Sequence, residues 1–213
     1  MQQRQGNSVK FVNQPAFCYY LDARIEIAGL GTVTLDVAYG GMTFAIVDGT
    51  KLGFDIQPSE ARQLCEVGEK IKAAAAEQLA VAYPGNPDMP GISITQITGP
   101  LRRENGLQVS RNTCIVSPGR CDRSPTGTGC SARLAVMHAK GQIQPGEVFV
   151  QHSITGSRFV CKIEGLTTVG SYDAVIPSVA GQAWITGLNQ TGMDPTDPYQ
   201  KGFTLSDTWM QAI

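Results

Sequence analysis

The sequence predicts an α+β fold in which a curled, mixed β-sheet packs with helices. The first observation is the order of the patterns, because the period-two alternation of strands gives way twice to helical spacing. The second is the length of 213 residues, which suits one large domain or two small ones. The third is the content of 42% apolar residues with a net charge of −1, which suffices for a core and excludes a disordered chain.

The first fifty residues are predicted to be strands. Apolar and polar residues alternate over 24–27 and 32–37, on either side of a glycine turn. Residues 9–12 form a short apolar segment before them, and a further run over 42–47 ends at Asp48-Gly49. Such a dipeptide is typical of turns. The N-terminal quarter is therefore expected to contribute consecutive strands to the sheet.

A long helix is predicted over 58–82. Pro58 suits a first helical position, and Glu60 suits the positive end of the helix dipole. Apolar and small residues then recur at steps of three or four as far as Leu79, and Tyr83-Pro84-Gly85 ends the pattern. Strand-like segments follow at 92–97 and 107–116.

A second helix is predicted over 127–140, directly after a pair of glycines. Its apolar stripe consists of the residues at 132, 135, 136 and 139, and Gly141 ends it. The remainder is strand-like again, with apolar segments at 148–154, 158–163, 174–176 and 183–185. The order of strands, helix, strands, helix and strands completes the α+β prediction.

Charge and spacing patterns exclude several classes of function. Seventeen Lys and Arg against 18 Asp and Glu leave no basic field for nucleic acid. No stretch supplies the ~20 mostly apolar residues of a membrane span, and the N-terminus has no apolar signal-peptide core. The six cysteines and two histidines show no metal-ligand spacing, so no metal site is expected. Free thiols of this kind are typical of a reducing, cytoplasmic compartment.

The segment 122–133, DRSPTGTGCSAR, carries recognisable chemistry. Gly127 and Gly129 permit close backbone approach at a helix start, where unpaired amides and the positive dipole end bind a carboxylate or phosphate. Asp122 lies a few residues ahead, where its charge can meet a substrate ammonium. An ordinary N-cap made by Thr126 or Thr128 is the alternative on generic grounds. The glycine spacing fits neither a Walker A loop nor a dinucleotide fingerprint.

This segment resembles the second active-site motif of the proline racemase family. Other segments resemble the family in the same order along the chain: 36–41, 98–100, 153–157, 181–187 and 202–209. The family includes 4-hydroxyproline 2-epimerases and trans-3-hydroxy-L-proline dehydratases, and it works without a cofactor. The resemblance implies the diaminopimelate epimerase-like fold, in which two similar lobes each wrap a sheet around a central helix. The substrate then lies between the two helix N-termini.

The resemblance also implies how the chain is divided. Residues 36–187 are expected to form the second lobe, residues 1–35 to lead into it from between the lobes, and residues 188–213 to return towards the first lobe. The family's first motif, Met-Cys-Gly-His or a close variant, has no counterpart in residues 1–35. The expectation is therefore a chain that lacks most of the first lobe and is inactive by itself.

Thr126 decides which reaction is predicted. Family members that racemise or epimerise carry Cys at this position, and members with Thr resemble the 3-hydroxyproline dehydratases. Inversion also needs two groups that exchange protons near neutral pH, which thiols can do and a Thr hydroxyl cannot. Elimination of water needs only one base. The predicted function is therefore cofactor-independent dehydration of trans-3-hydroxy-L-proline to Δ1-pyrroline-2-carboxylate, with 4-hydroxyproline epimerisation or proline racemisation as the alternative.

The resemblance assigns further roles around this residue. Thr126 takes the second face of the substrate, Asp122 the ring ammonium, and the amides of Gly127 and Thr128 the carboxylate. The expected pocket wall consists of Ser153, Gly156 and Ser157, together with Tyr39, for which a plain aromatic residue at a strand end is the alternative. The expected partner is a hydroxyproline- or proline-like amino acid, without nucleic acid or membrane, and a homodimer is left open. A catalytically silent, ligand-binding lobe is the alternative from another class.

The cysteines are not expected to supply a missing base. Cys130 lies one turn into the second helix and is predicted to be a small core residue. Cys121 precedes Asp122 and is predicted to point away from it. The remaining four are expected in the core because they lie in apolar patterns: Cys18, Cys65, Cys114 and Cys161.

Overall fold

A computed structural model describes residues 8–89 and 91–203. The described residues divide into two compact units, residues 8–181 and residues 182–203. The first unit contains helices α1 (Ala61–Gln78) and α2 (Gly127–Ala139). Its strands are β1 (Val9–Val12), β2 (Ala16–Ile27), β3 (Gly31–Tyr39), β4 (Thr43–Asp48), β5 (Ile94–Thr98), β6 (Arg102–Glu104), β7 (Leu107–Val116), β8 (Arg120–Cys121), β9 (Val148–Ser153), β10 (Arg158–Val169) and β11 (Tyr172–Gly181).

Eight of these strands close into a barrel. Their order is β11-β10-β9-β7-β5-β4-β3-β2, and β2 pairs back with β11 at Phe17 and Ala174. Strands β1 and β2 pair with different parts of β11. Strand β1 pairs with residues 178–181, and β2 pairs with Ala174 and Val175. The pairs β4–β5 and β7–β9 are parallel and the other pairs are antiparallel. The sheet is therefore mixed, as the sequence predicts.

The two helices lie on opposite sides of this sheet. Val33, Leu35 and Val37 lie on one face of β3 and pack with α1. Ala38 lies on the other face and packs with residues of α2. Helix α1 buries one face only, whereas α2 is buried on most of its surface, as suits a helix enclosed by strands. The predicted curled sheet around a central helix is confirmed, and α2 is the central helix.

Two predicted boundaries are wrong. Helix α1 ends at Gln78 rather than near residue 82, because Leu79 is extended and packs against the α1 core with Val81. Residues 58–60 form a 3-10 turn before α1. The strand predicted at 183–185 does not form, since β11 ends at Gly181 and the described residues after it, 182–203, contain no helix or strand. Three apolar residues between glycines were too short a pattern to identify a strand.

Residues 182–203 form turns of their own. The Asp194 carboxylate accepts hydrogen bonds from the Thr196 amide at 2.9 Å and hydroxyl at 2.7 Å. The rings of Tyr199 and Phe203 meet edge to face with centroids 5.3 Å apart. From residue 204 onwards the predicted motif at 202–209 lies outside the described residues. None of the described helices has the length and apolar character needed to cross a membrane.

Candidate functional site

The predicted catalytic and substrate-binding residues meet at the start of α2. Strands β7 and β8 lead into this segment, and the Asp122 amide donates to the Cys114 carbonyl of β7 at 2.8 Å. Asp122, Thr126, Gly127 and Thr128 are all half-buried. The segment is thus held by the sheet while its polar groups stay accessible to a ligand.

The Asp122 carboxylate is held by three hydrogen bonds from its own loop. Its Oδ1 accepts from the Ser124 amide at 2.9 Å, and its Oδ2 accepts from the Ser124 hydroxyl at 3.0 Å. The Thr126 hydroxyl donates to the same Oδ2. A carboxylate offers about four acceptor positions, so this anion is fixed in place and can still accept a hydrogen bond from a cation.

Thr126 adopts an unusual backbone conformation at the helix start. Its φ is 63° and its ψ is 107°, a region that costs a β-branched residue about 1–3 kcal/mol. Its side chain makes no N-cap hydrogen bond and donates to Asp122 instead. The alternative of an ordinary N-cap at Thr126 is therefore wrong. The strained backbone at Thr126 orients its hydroxyl towards the Asp122 carboxylate.

The backbone amides of Gly127, Thr128 and Gly129 donate no hydrogen bond to any described residue. The first amide bonded along the helix is that of Cys130, which donates to the Thr126 carbonyl at 2.8 Å. Unpaired amides at the positive end of a helix form a binding place for an anion. A carboxylate and a set of amide donors thus lie within one short segment, an arrangement suited to an amino acid zwitterion.

The turn between β3 and β4 supports the first turn of α2. A Cβ added to Gly40 would lie 2.3 Å from the Thr128 carbonyl oxygen and 2.4 Å from the Ala132 nitrogen. Gly41 has a φ of 110°, and its added Cβ would lie 2.8 Å from Thr128 Cγ2. Only glycine permits this approach. Segment 36–41 is one of the segments that resemble the family. Its two glycines are explained physically by the close approach of this turn to α2.

Two asparagines that the sequence analysis did not single out hold the same segment. Asn13 Nδ2 donates to the Gly40 carbonyl at 3.1 Å and to Ser131 Oγ at 3.0 Å. Asn112 is fully buried and donates to the Pro125 carbonyl at 3.0 Å. No clear signal for Asn112 was present in the sequence, because the strand-like segment 107–116 mixes apolar and polar residues.

Phe11 lies over the helix start and was also missed. Its Cζ would lie 3.3 Å from a Cβ on Gly127, and 47% of the residue is exposed. A short, exposed apolar strand gave no sign of this contact, because β1 reaches α2 only through its pairing with β11. Phe11 supplies an apolar surface beside the unpaired amides of the helix start.

The predicted pocket-wall residues lie in two places. Tyr39 is 3% exposed, its hydroxyl accepts from Gln14 Nε2 at 3.1 Å, and its ring packs with those of Phe17 and Tyr83. The hydroxyls of Ser153 and Ser157 lie 2.8 Å apart in the β9–β10 turn, which also contains Gly156. That turn contacts the site loop, because Thr155 Oγ1 donates to the Arg123 carbonyl at 2.9 Å. Contact with a ligand stays a prediction for all four wall residues.

The thiols near Thr126 cannot act as bases at neutral pH. Cys114 is fully buried beside the Thr126 hydroxyl, and burial raises its pKa to about 12. Cys130 is also fully buried, and burial raises its pKa well above the ordinary value. Cys121 points to α1, where its Sγ lies 3.4 Å from that of Cys65. Cys65, predicted in the core, is half-buried: it packs against the core cluster around α1 and also lines a cavity.

Comparison with known proteins agrees with this arrangement. The family model described as proline racemase matches residues 1–204. A hydroxyproline epimerase from Agrobacterium vitis, solved with bound trans-4-hydroxy-L-proline, superposes with a TM-score of 0.80 at 38% identity, over 95% of this chain and 57% of that one. A probable proline racemase from Agrobacterium radiobacter K84, solved with bound carbonate, gives a TM-score of 0.80 at 34% identity, over 95% of this chain and 58% of that one. The chain thus spans less than two thirds of either solved chain, and it belongs to the proline racemase family.

Proposed function

We propose that the protein carrying this chain dehydrates trans-3-hydroxy-L-proline without a cofactor. The observation that supports this proposal is the group at position 126, which is a hydroxyl bonded to Asp122 rather than a thiol. The nearby thiols of Cys114 and Cys130 are buried and protonated. A site of this kind lacks a second group that exchanges protons near neutral pH, and inversion needs one.

The substrate is proposed to bind as a zwitterion. Its ring ammonium takes the remaining acceptor position on Asp122, and its carboxylate accepts from the amides of Gly127 and Thr128. Both interactions are charge-assisted, so they are stronger than bonds between neutral groups. Phe11 then offers its exposed ring to the apolar part of the pyrrolidine.

The reaction needs one base. The base removes the proton on Cα, the electron pair forms a Cα–Cβ double bond, and the Cβ–O bond breaks. The departing oxygen takes the proton back from the protonated base and leaves as water, and the enamine tautomerises to Δ1-pyrroline-2-carboxylate. The Thr126 hydroxyl carries a single hydrogen, so it is proposed to turn from Asp122 and donate a hydrogen bond to the departing oxygen once the substrate ammonium engages Asp122.

The base itself is proposed to come from a part of the protein outside the described residues. This agrees with the length of the two solved relatives, of which the chain covers 57% and 58%. The complete reaction is therefore proposed for the whole protein, with this chain as the half that binds the zwitterion and contributes Thr126.

The second candidate is 4-hydroxyproline epimerisation. The 38% identity to a hydroxyproline epimerase with bound trans-4-hydroxy-L-proline favours it. The chemistry of Thr126 argues against it, because an alcohol is several pKa units less acidic than a thiol. Both candidates use the same zwitterion-binding groups and differ only in what residue 126 does.

The test is product analysis with the protein at its natural length. We expect trans-3-hydroxy-L-proline to yield a cyclic imine, detected with an imine-trapping aromatic amine, and trans-4-hydroxy-L-proline to remain unchanged. Thr126→Ser keeps the hydroxyl and should retain most of the imine formation. Thr126→Val keeps the branched shape without the hydroxyl, and should reduce kcat by about 10²-fold or more, the usual scale for the loss of a hydrogen-bond donor to developing negative charge.

Inversion of trans-4-hydroxy-L-proline by the wild type, without imine from the 3-hydroxy isomer, would refute the proposal in favour of epimerisation. Equal imine formation by Thr126→Val would leave dehydration in place and remove Thr126 from it. Retention of ligand binding by both variants serves as the folding control, since the Asp122 carboxylate and the helix amides are unchanged.

A further inference from the structure

Two thiols from different elements meet beside the helix-start segment. Cys65 belongs to α1 and Cys121 to β8, and their Sγ atoms lie 3.4 Å apart. A disulfide requires a separation of about 2 Å, so the two sulfurs need to approach by about 1.4 Å. Strand β8 has only two residues and follows an exposed turn at 117–118. A movement of that size is within reach of such a short element.

The thiol pair opens onto a cavity. Cys65 and Cys121 are half-buried, and both line a cavity of about 800 Å³ between α1, β8 and the β9–β10 turn. The cavity volume is large enough for a small peptide. A reagent can therefore reach the pair without unfolding of the core.

The cavity wall carries an excess of positive charge. Arg62, Arg120 and Arg123 line it, together with two acidic residues, Glu66 and Glu69. The Glu69 carboxylate is already paired with Lys72 at 2.5 Å. Guanidinium groups bind carboxylates through two parallel hydrogen bonds, so the cavity favours an anionic ligand over a cationic one.

A second thiol pair provides an internal comparison. Cys130 and Cys161 interact with each other inside the barrel, and both are fully buried. Neither lines any of the cavities that adjoin Cys65 or Cys121. The two pairs share their chemistry and differ in access.

We propose that Cys65 and Cys121 are an oxidisable dithiol site, which a small acidic disulfide such as glutathione disulfide converts to an intramolecular disulfide. In the first step the Cys65 thiolate attacks one sulfur of the reagent, and a glutathione thiolate leaves. In the second step the Cys121 thiolate attacks the Cys65 sulfur of the mixed disulfide, and a second glutathione thiolate leaves. The two cysteines lose two electrons and two protons, and one glutathione disulfide becomes two glutathione thiols.

The order of attack follows from the surroundings of Cys121. The Cys121 thiol is held by the Ala61 carbonyl, with its Sγ 3.6 Å from that oxygen, and burial and the neighbouring Cys65 raise its pKa to about 11, so Cys121 is assigned the second attack. The resulting disulfide joins α1 to the residue directly before Asp122. The redox state of the pair is thereby linked to the segment that holds the Asp122 carboxylate.

The test is oxidation of the folded protein by glutathione disulfide, followed by alkylation and tryptic mass mapping. We expect a cross-link between the peptides 63–70 and 121–123 and the loss of two alkylatable thiols, with Cys130 and Cys161 still reduced. Cys121→Ser should instead accumulate a glutathione adduct on Cys65. Cys18→Ser, a half-buried cysteine elsewhere, is the matched control and should cross-link like the wild type.

Two further measurements address the cavity and the link to Asp122. Cystamine, a cationic disulfide, should react at least about twofold more slowly than glutathione disulfide, and Arg120→Gln should narrow that difference. Oxidation should also change hydrogen exchange of the amides at 122–130. Absence of the cross-link in folded protein, or equal oxidation of Cys130 and Cys161, would overturn the dithiol site. Equal rates for the two reagents would overturn the acidic-disulfide preference, and unchanged exchange at 122–130 would overturn the link to Asp122.

Discussion

Gly40→Ala should show how tightly the helix start is held. The added Cβ would lie 2.3 Å from the Thr128 carbonyl oxygen and 2.4 Å from the Ala132 nitrogen. Carbon contacts are most favourable at about 3.5–4.0 Å, so the overlap exceeds 1 Å. Both neighbours are backbone atoms of α2, and no side-chain rotation relieves the clash. Either the β3–β4 turn or the first turn of α2 has to move.

The expected loss of unfolding free energy is about 3 kcal/mol, the upper end of the usual cost of overpacking. For a protein of this length that loss lowers Tm by about 6–12 °C. Urea unfolding followed by circular dichroism measures the free energy directly. Gly165→Ala is the matched control, because its added Cβ meets Ile176 Cδ1 at an ordinary 3.6 Å. This control should change stability by less than about 1 kcal/mol.

Hydrogen exchange then separates a loss of stability from a change in the site. If α2 moves, the amide of Cys130, which closes the first turn by its bond to the Thr126 carbonyl, should exchange faster in Gly40→Ala than in Gly165→Ala under fully folding conditions. Equal stability of the two variants would refute the close approach as the reason for glycine at position 40. Unequal stability with identical exchange would show that the clash is absorbed by the β3–β4 turn and not by the helix.

Three more changes have defined outcomes. Gln96 is fully buried, and its side-chain amide has no hydrogen-bond partner among the described residues, so Gln96→Met should raise the unfolding free energy by about 1–2 kcal/mol; a loss of stability in urea would contradict this. Folding raises the pKa of Cys114 from 9.0 to about 12, so the contribution of this thiol to stability should be constant below pH 9 and fall between pH 9 and 12. Cys114→Ala should flatten that fall, and an unchanged slope would argue against it. Asn112→Ala removes the bond to the Pro125 carbonyl and should cost about 1–3 kcal/mol and weaken ligand binding, measured by calorimetry.

The sequence predicted the elements of the fold better than their closure. Alternation over 32–37 identified β3, whose apolar face packs on α1, and the apolar run at 42–47 identified β4, which packs on α1 with one face and on α2 with the other. The glycines at 127 and 129 located the start of α2, because they permit close backbone approach there. The pairing of Phe17 with Ala174 joins residues far apart in the chain, and no local pattern carries that information.

The site was predicted in its composition but not in its bonding. The resemblance placed Asp122 and Thr126 together, whereas the bond between them depends on the positive φ of Thr126, which a Thr in a sequence does not reveal. Cys65 was expected in the core because it lies in an apolar helical pattern. It proved to be half-buried because it sits at the margin of the α1 stripe, facing Cys121.

The central claim is that the group at position 126 decides between elimination and inversion, and Thr126→Cys in the protein at its natural length tests it most directly. The measurement is deuterium incorporation at Cα of trans-4-hydroxy-L-proline, followed together with optical rotation. A thiol can exchange a proton on the second face, so the variant should gain slow exchange with inversion, and imine formation from trans-3-hydroxy-L-proline should fall. Efficient exchange with inversion by the unmutated protein would contradict the account, as would a variant that gains none while still binding the ligand.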